Sequence, residues 1–397
     1  MTPTTLRSGW FQANRKLLTT ALYVATAVIL LALLLPVIGA QRPSRLIQST
    51  ITGLLVGGVY SLIALGIVII NKASGVFNFA HGWMMLLGGL LFFSFFSANT
   101  ISPVAAIGLP LVTGIMVMTT NGWSSLREPR NLILLAVGTA IFAVVLSLGD
   151  GWDLIRAIVA ASIGGVLIGL TVERFNIRPL IGQPLFAMVL MTLAVSELLH
   201  GITQLLWGSV ELPLQIFAGV TELGIPQQIR FGEDIFERPI NIRADLLIPF
   251  ILALLAFGVF VLFFRFTSVG LSMRAIAENQ KLGQSVGLRV RTVLAIAWAI
   301  AALLGAVAGV LQGGATSLSL NLPLLALRAF PAVLLGGLES IPGALVGGLV
   351  IGLAQELSNL LFPGSQAGTE LAPYLILMVV LVIRPDGLFG EKRIERI

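Results

Sequence analysis

The amino-acid sequence predicts an all-α protein, a polytopic transmembrane helical bundle of about 10–12 membrane segments, some of them re-entrant. Of the 397 residues, 57% are hydrophobic and 11% are charged, and the mean hydropathy is +0.99. Soluble domains carry roughly 25% charged residues, so this chain has too few charges to cover a water-exposed surface. Apolar runs long enough to cross a bilayer core of ~30 Å recur along the whole chain, which excludes a soluble domain on a single anchor.

Apolar runs between charges and turn residues define the candidate spans. Their approximate limits are 17–38, 47–70, 79–97, 101–119, 131–148, 157–173, 185–207, 245–266, 292–313, 323–338, 342–362 and 371–384. The first run is longer than the apolar region of a signal peptide, about 7–15 residues, so we expect a retained helix, with cleavage as the alternative. The short segment 323–338 and the Gly-rich segment after His81 are the candidates for re-entrant segments.

The distribution of Lys and Arg predicts the orientation. With a cytosolic amino terminus and alternating sides, 17 of the 24 Lys and Arg residues fall on or beside cytosolic segments. Arg328 lies within a span, and the outer side holds Arg42, Arg45, Arg156, Arg230, Arg238 and Arg243. This asymmetry follows the positive-inside rule and predicts that both termini are cytosolic. It also explains the net charge of +6, so we expect contact with membrane lipid and none with nucleic acid.

The predicted spans divide the chain into three parts. Residues 1–46 form a tail with an extra transmembrane helix, residues 47–390 form the main transmembrane domain, and residues 391–397 form a cytosolic tail. Within the domain we expect a hairpin at about 101–148, an outer loop at 208–244 and an inner basic loop at 267–291. Loops beyond about 12–15 residues are usually functional, although a plain connection is the alternative for both long loops.

Glycines at four-residue spacing predict a tight bundle. The pairs are Gly53/Gly57, Gly165/Gly169, Gly305/Gly309, Gly343/Gly347 and Gly348/Gly352. Small residues allow helix backbones to approach closely within a membrane. Such pairs identify no function, because any polytopic transporter or channel uses them.

Several kinds of chemistry are excluded or made improbable by the sequence. No Lys follows a Gly, so the phosphate-binding loop G-x-x-x-x-G-K-[ST] is absent and any ATP must be bound by a partner. With no cysteine and two histidines, thiolate metal sites are excluded and a multi-His metal centre is improbable. No Ser/His/Asp constellation is evident. We therefore expect no metal, no cofactor bound by this chain and no enzymatic activity.

The inner loop contains a short basic helix. Arg274, Ala277/Glu278 and Lys281 follow one another at helical spacings of three and four, and Gly287 suits a helix stop. Such a helix between two spans can dock into a cleft of a soluble motor subunit. An amphipathic helix resting on anionic lipid is the alternative, and the spacing alone does not separate the two.

Polar residues inside the spans are the candidates for a translocation pathway. Asn78 and His81 stand at the start of a Gly-rich helix, whose amino terminus favours a solute carboxylate if it faces a cavity. The alternative is a capping Asn beside an anchored His. The ionisable residues within spans are Glu197, His200, Arg328 and Glu356. Glu197 and His200 can pair on one helix face, and Arg328 can pair with an acid on a neighbouring helix or meet an anionic group, so a structural pair and a substrate contact both stay open.

Five ordered motifs resemble one family. Residues 57–66 with Asn78-Phe-Ala-His-Gly82 resemble the H-type permease of branched-chain amino acid ABC importers. The stretch from Arg274-Ala275-Ile-Ala277-Glu278-Asn279 to Gly287 resembles the ATPase-coupling loop of that family. Residues 329–344 resemble its Gly-rich turn, residues 384–390 its closing motif, and residues 178–180 one of its cytosolic turns. The likeness covers roughly 47–97 and 157–390; the first helix, the hairpin at 101–148 and Glu339 in place of a Gly depart from it.

The resemblance implies an alternating-access half-channel in the bacterial inner membrane. It implies a second, M-type permease, two cytosolic ATPase subunits that push on the coupling helix near Glu278, and a periplasmic solute-binding protein that docks on loop 208–244. Its coupling residues would be Arg274, Ala275, Ala277, Glu278, Asn279, Lys281 and Gly287. Family members also move urea, amides and aromatic acids, so the solute stays open. The alternative from another class is a stand-alone secondary transporter or channel.

Overall fold

The predicted helical membrane protein is confirmed by a computed structural model. It describes residues 39, 42–149, 151–209, 211–217, 226–233, 235–236, 238–278, 280–364 and 366–390. Within this part of the chain, eight helices are long and apolar enough to cross a membrane, and three shorter apolar helices accompany them. The first predicted span, 17–38, and the tail 391–397 lie outside the described residues.

Eleven helices correspond to the remaining predicted spans, and two more form the basic loop. The described helices are α1 Pro43–Ser74, α2 His81–Phe96, α3 Pro103–Met118, α4 Pro129–Leu146, α5 Asp153–Thr171, α6 Leu185–Trp207, α7 Ala244–Phe266, α8 Ser268–Glu278, α9 Gln280–Ser285, α10 Val290–Ala315, α11 Leu322–Gly336, α12 Ile341–Leu361 and α13 Gln366–Ile383. Short 3₁₀ segments lie at Thr119–Asn121, Trp123–Arg127 and Arg178–Leu180, and a π-helical turn at Val172–Ile177 follows α5.

The core is built on α1 and α10. Of their most apolar stretches, 89% and 72% are buried, against 6% for α4. α1 packs most extensively on α12, while α10 packs on α1, α2 and α5. The α3–α4 pair, which is the predicted hairpin, packs on α5 at the edge of the bundle.

The glycine pairs bring these helices together, as predicted. A Cβ on Gly57 would lie 2.8 Å from the Cα of Leu349, and one on Gly53 would lie 2.8 Å from the Cα of Leu353. Gly348 and Gly352 on α12 face Ser61 and Gly57 of α1 in return. Any side chain at these positions would push α1 and α12 apart, so the glycines allow the close contact of these two helices.

Connections gather at two ends of the bundle. One end is called the α8 end, after that helix. It holds the α11–α12 turn, where the Glu339 carbonyl accepts a hydrogen bond from Nζ of Lys72 at 3.1 Å. It also holds residues 388 and 389, whose amides donate to the carbonyls of Leu335 and Gly336.

The β-hairpin end holds an antiparallel pair, β1 Gln228–Phe231 and β2 Ile240–Arg243, in the register Gln228↔Arg243. The hairpin lies within segment 208–244, which we predicted as an outer loop without expecting strands in it. Apolar residues alternate in both strands, at Ile229 and Phe231 and at Ile240 and Ile242, a period typical of strands. Gln48 of α1 fixes the hairpin by donating to the Asn241 carbonyl and accepting from its amide, both at 2.7 Å.

Candidate functional site

The segment between α1 and α2 runs back into the bundle. α1 ends at Gly75, whose φ of 70° places it in the left-handed region and whose amide donates to the Asn71 carbonyl. The following irregular segment reaches α6, where the Thr192 hydroxyl donates to the Phe77 carbonyl at 3.1 Å and accepts from the Phe79 amide at 3.4 Å. Thr192 lies about 10 Å along α6 from its first residue. Irregular backbone at such depth is tolerated only when protein covers it, as here.

Asn78 is wholly buried and stabilises the turn that opens α2. Its Oδ1 accepts from the Ala80 amide at 3.1 Å, and its Nδ2 donates to the Met84 sulfur at 3.3 Å. The rings of Phe77 and Phe79 stack near Phe330 of α11, with centroids 4.9 and 5.3 Å away. Asn78 thus closes the turn before α2, whose N-cap residue is Ala80 and carries no capping side-chain hydrogen bond.

His81 is also wholly buried, at the first position of α2. Its imidazole fills a slot left by two glycines, Gly66 of α1 and Gly305 of α10. Neither ring nitrogen has a hydrogen-bond partner among the described residues. In this conformation the amino terminus of α2 therefore faces packed protein rather than an open cavity.

Glu197, unlike Asn78 and His81, lies on an exposed surface. Its side chain is 80% exposed in the middle of α6, and its Oε2 is 3.5 Å from Nδ1 of His200, which confirms the predicted pairing. The His200 ring stacks on Trp83 of α2 with centroids 4.3 Å apart. A carboxylate thus sits beside two stacked aromatic rings on the outer face of a membrane-spanning helix.

Arg328 forms the predicted pair with an acid of a neighbouring helix. Its Nη2 lies 3.1 Å from Oε1 of Glu370 on α13. Among the described contacts, none joins this pair to Asn78, His81 or Glu197. The four candidate pathway residues therefore occupy three separate places: a buried turn, an exposed helix face and an ion pair.

The basic loop forms two helices rather than one. α8 buries Gly270, Met273 and Ile276, and α9 ends in a turn in which Gly287 has a φ of 87°. The amides of Gly287 and Leu288 donate to the carbonyls of Gln284 and Gly283, a Schellman motif, so the predicted helix stop is confirmed. Asn279 lies outside the described residues, and the side chain of Lys281 is not described.

Arg274 is directed back into the protein. Its guanidinium donates to the carbonyls of Phe264 and Arg265 and lies over the Phe264 ring, 5.3 Å from the centroid. These carbonyls have no partner within α7 because that helix ends there. Arg274 therefore fastens α8 to α7, whereas the expectation from spacing placed it on the docking face.

The outward stripe of α8 carries different residues. Ala275 and Glu278 are exposed, Leu271 extends this stripe by one turn and is 60% exposed, and Leu282 of α9 is 64% exposed. Of the predicted coupling residues, Ala277 is half-buried. Leu271 was not among the predicted coupling residues, although it lies four residues before Ala275.

A cleft of about 700 Å³ opens beside α8. Its lining combines basic and acidic groups with aromatic rings, from Lys72, Phe264, Arg274, Glu339, Asp386 and Phe389. The lining brings together the ends of α1 and α7, the α11–α12 turn and the closing motif at 384–390, which lie far apart in the sequence.

Two arginines that were not among the predicted site residues tie the α3–α4 pair to the core. Arg156, 1% exposed, donates to the carbonyls of Phe95, Ala98 and Leu148 and pairs with Asp153 at 2.6 Å. Near the tip of the pair, Arg178 binds buried Glu173 through two nitrogens at 3.0 and 2.7 Å and donates to the Thr120 carbonyl. The hairpin at 101–148 is thus built into the bundle.

Comparison with known proteins places these features in a family. The family model described as the branched-chain amino acid transport system permease component matches residues 49–148 and 133–383. The chain is 27% identical over 356 residues to the permease LivH of Escherichia coli K12, covering 88% of this chain and 97% of that protein. It is 28% identical over 354 residues to BraD of Pseudomonas aeruginosa, covering 88% and 98%. No solved structure matches significantly.

Proposed function

The chain belongs to the family of branched-chain amino acid transport system permease components, and from this premise we propose that it is a permease subunit of an ABC importer. The proposed solute is a branched-chain amino acid, because the relatives in Escherichia coli and Pseudomonas aeruginosa are named high-affinity permeases for that transport. Urea or a short amide is the alternative solute. The location is the bacterial inner membrane, with the α8 end and both termini in the cytosol.

The exposed stripe of α8 is the observation that carries this proposal. Leu271, Ala275 and Glu278 follow one another at spacings of four and three and form an exposed surface of apolar and acidic character, and Leu282 is exposed on α9. A lipid-bound amphipathic helix would display basic residues around an apolar face. Here Arg274 is turned inward instead, so the surface suits a protein cleft better than anionic lipid.

A displacement of α8 is transmitted directly to the helical bundle through its packing contacts. The buried side of α8 packs on α7, α10 and α1, and Arg274 fastens it to the end of α7. α1 and α10 form the core, so a displacement of α8 acts on the two helices whose apolar stretches are most buried in the bundle. Two cytosolic ATPase subunits supply that displacement by binding ATP, for which this chain needs no cofactor of its own.

The β-hairpin end suits a periplasmic solute-binding protein. Phe231 and Ile235 there have 51% and 79% of their side chains exposed, and β2 is fixed to α1 through Gln48. Docking on segment 208–244 would therefore act on α1, the central helix that α8 also contacts. An M-type permease completes the membrane-spanning half-channels.

Variants on the exposed stripe test this function. Ala275→Arg and Glu278→Lys change the stripe without touching the buried side of α8, and each should lower solute uptake per ATP hydrolysed by roughly tenfold or more. Gln183→Arg is the matched control, since it adds the same side chain in the exposed α5–α6 turn at the same end. Purified complexes in proteoliposomes report uptake, hydrolysis and subunit content together.

The outcomes separate the candidate functions. Variants that transport and hydrolyse like the wild type would remove the stripe from the coupling mechanism. A wild-type chain that purifies without ATPase subunits and transports alone would instead establish the secondary transporter or channel.

A further inference from the structure

α6 has a face that carries a carboxylate and that the other described residues do not cover. The helix packs on the bundle through one narrow stripe, formed by Thr192, Val195, Leu199 and Thr203. At 100° per residue, the opposite side of the helix is centred on Glu197. The exposed residues along that opposite side are Leu190, Ala194, Glu197, Gly201 and Gln204.

This face lies at the depth of the hydrocarbon core. Glu197 is the thirteenth of 23 residues in α6, about 18 Å along a helix of roughly 34 Å. A carboxylate at the bilayer centre is strongly disfavoured and usually faces a cavity or a partner. Since 80% of its side chain is open, the face must meet something other than lipid in the assembled protein.

The surroundings of Glu197 fit an organic cation. His200 gives the carboxylate one contact, at 3.5 Å, and that contact is charged only when the imidazole is protonated. The stacked rings of His200 and Trp83 provide an aromatic surface next to the carboxylate. A carboxylate with aromatic faces beside it is the arrangement that binds ammonium groups.

We propose, on the premise of the importer function, that Glu197 receives the α-ammonium group of an amino-acid solute on its way between this permease and the second one. His200 and Trp83 hold the carboxylate in position, and the exposed Leu190 and Leu193 offer apolar surface to the solute side chain. Gln204, about 10 Å further along the same face, provides a polar group on the way to the β-hairpin end. A permanent cation from the second permease is the competing occupant.

Charge removal at Glu197 distinguishes the two occupants. The complex with its second permease, ATPases and binding protein is reconstituted, and L-leucine uptake is measured for Glu197→Gln, Glu197→Asp and the control Leu205→Gln. Leu205 is 84% exposed on the flank of the same helix. Glu197→Gln should lower uptake roughly 10- to 100-fold, Glu197→Asp should retain part of it, and Leu205→Gln should match the wild type.

The same preparations show whether assembly is intact. The inference is supported if the Glu197→Gln complex still contains the second permease and its ATP hydrolysis is still stimulated by the binding protein. Loss of the second permease would overturn the inference, because the carboxylate would then pair with that subunit. Unchanged uptake would overturn it as well.

A failure of the proposed function looks different. A wild-type chain that binds no ATPase subunit overturns the importer and this inference together. A wild-type complex that imports urea and not L-leucine overturns the ammonium site and the proposed solute but leaves the importer, because urea carries no ammonium group.

Discussion

His81 of α2 occupies the space that a side chain on Gly66 of α1 would need. A Cβ at Gly66 would lie 2.5 Å from Cε1 and 2.7 Å from Nε2 of the imidazole. The two residues are therefore coupled. Gly66 lies in the most buried helix and leaves room for the buried imidazole of the first residue of α2.

Gly66→Ala should destabilise the protein by about 1–3 kcal/mol, because the overpacked core must displace His81 or part α1 from α2. His81→Ala opens the slot, so the double variant should lose less than the sum of the single variants, by about 0.5–3 kcal/mol. Thermal unfolding in detergent measures all three. Strict additivity would show that the two side-chain positions do not compete for space.

Arg156 should be indispensable for the junction between α2 and α5. Replacement with Met leaves Asp153 and three carbonyls without their donor and should cost about 3–5 kcal/mol. Arg156→Lys should restore only part, because one ammonium cannot reproduce the planar fork of donors. The control is Arg130→Met at the exposed start of α4. Equal unfolding temperatures for Arg156→Met and Arg130→Met would contradict this role.

The spans were predictable because the bilayer fixes their length. Hydropathy located every described helix of the bundle to within a few residues, and α6 matched its expected limits, 185–207. Irregular features were not predictable in this way. The depth of segment 75–80 is set by Thr192, which is 113 residues away from Phe79 in the sequence. Local pattern carries no information about such a contact.

In the candidate site, too, the local sequence pattern predicted some contacts and missed others. Helical spacing correctly paired Glu197 with His200, since residues three apart share a helix face. It misplaced Arg274, because the direction of that side chain depends on the free carbonyls at the end of α7 and on the angle at which α8 leaves it. Spacing in the sequence predicts on which face of its helix a residue lies, whereas the packing of two helices determines which groups that face contacts.

The fastening role of Arg274 is separable from the docking role of Glu278. Arg274→Ala frees the carbonyls at the end of α7 and should speed amide hydrogen exchange in residues 268–278 by roughly 5- to 100-fold, as expected for the loss of about 1–3 kcal/mol. Glu278→Gln is the control: its exposed side chain should leave exchange unchanged and affect only coupling. Equal exchange in the two variants would mean that Arg274 does not hold α8.

Thr192 should contribute more to stability than a second threonine on the same buried stripe of α6. Besides the Val189 carbonyl of its own helix, its hydroxyl contacts the Phe77 carbonyl and the Phe79 amide, whereas the hydroxyl of Thr203 bonds only to the Leu199 carbonyl of its own helix. Valine keeps the shape of either side chain.

Thr192→Val leaves two backbone groups of the irregular segment without a partner inside the membrane, so it should cost about 1–3 kcal/mol, while Thr203→Val should stay within about 0.5 kcal/mol of the wild type. Thermal unfolding of the two variants in the same detergent makes the comparison. If they unfold alike, Thr192 does not hold the segment that opens α2, and the depth of that segment depends instead on the ring contacts of Phe77 and Phe79 with Phe330.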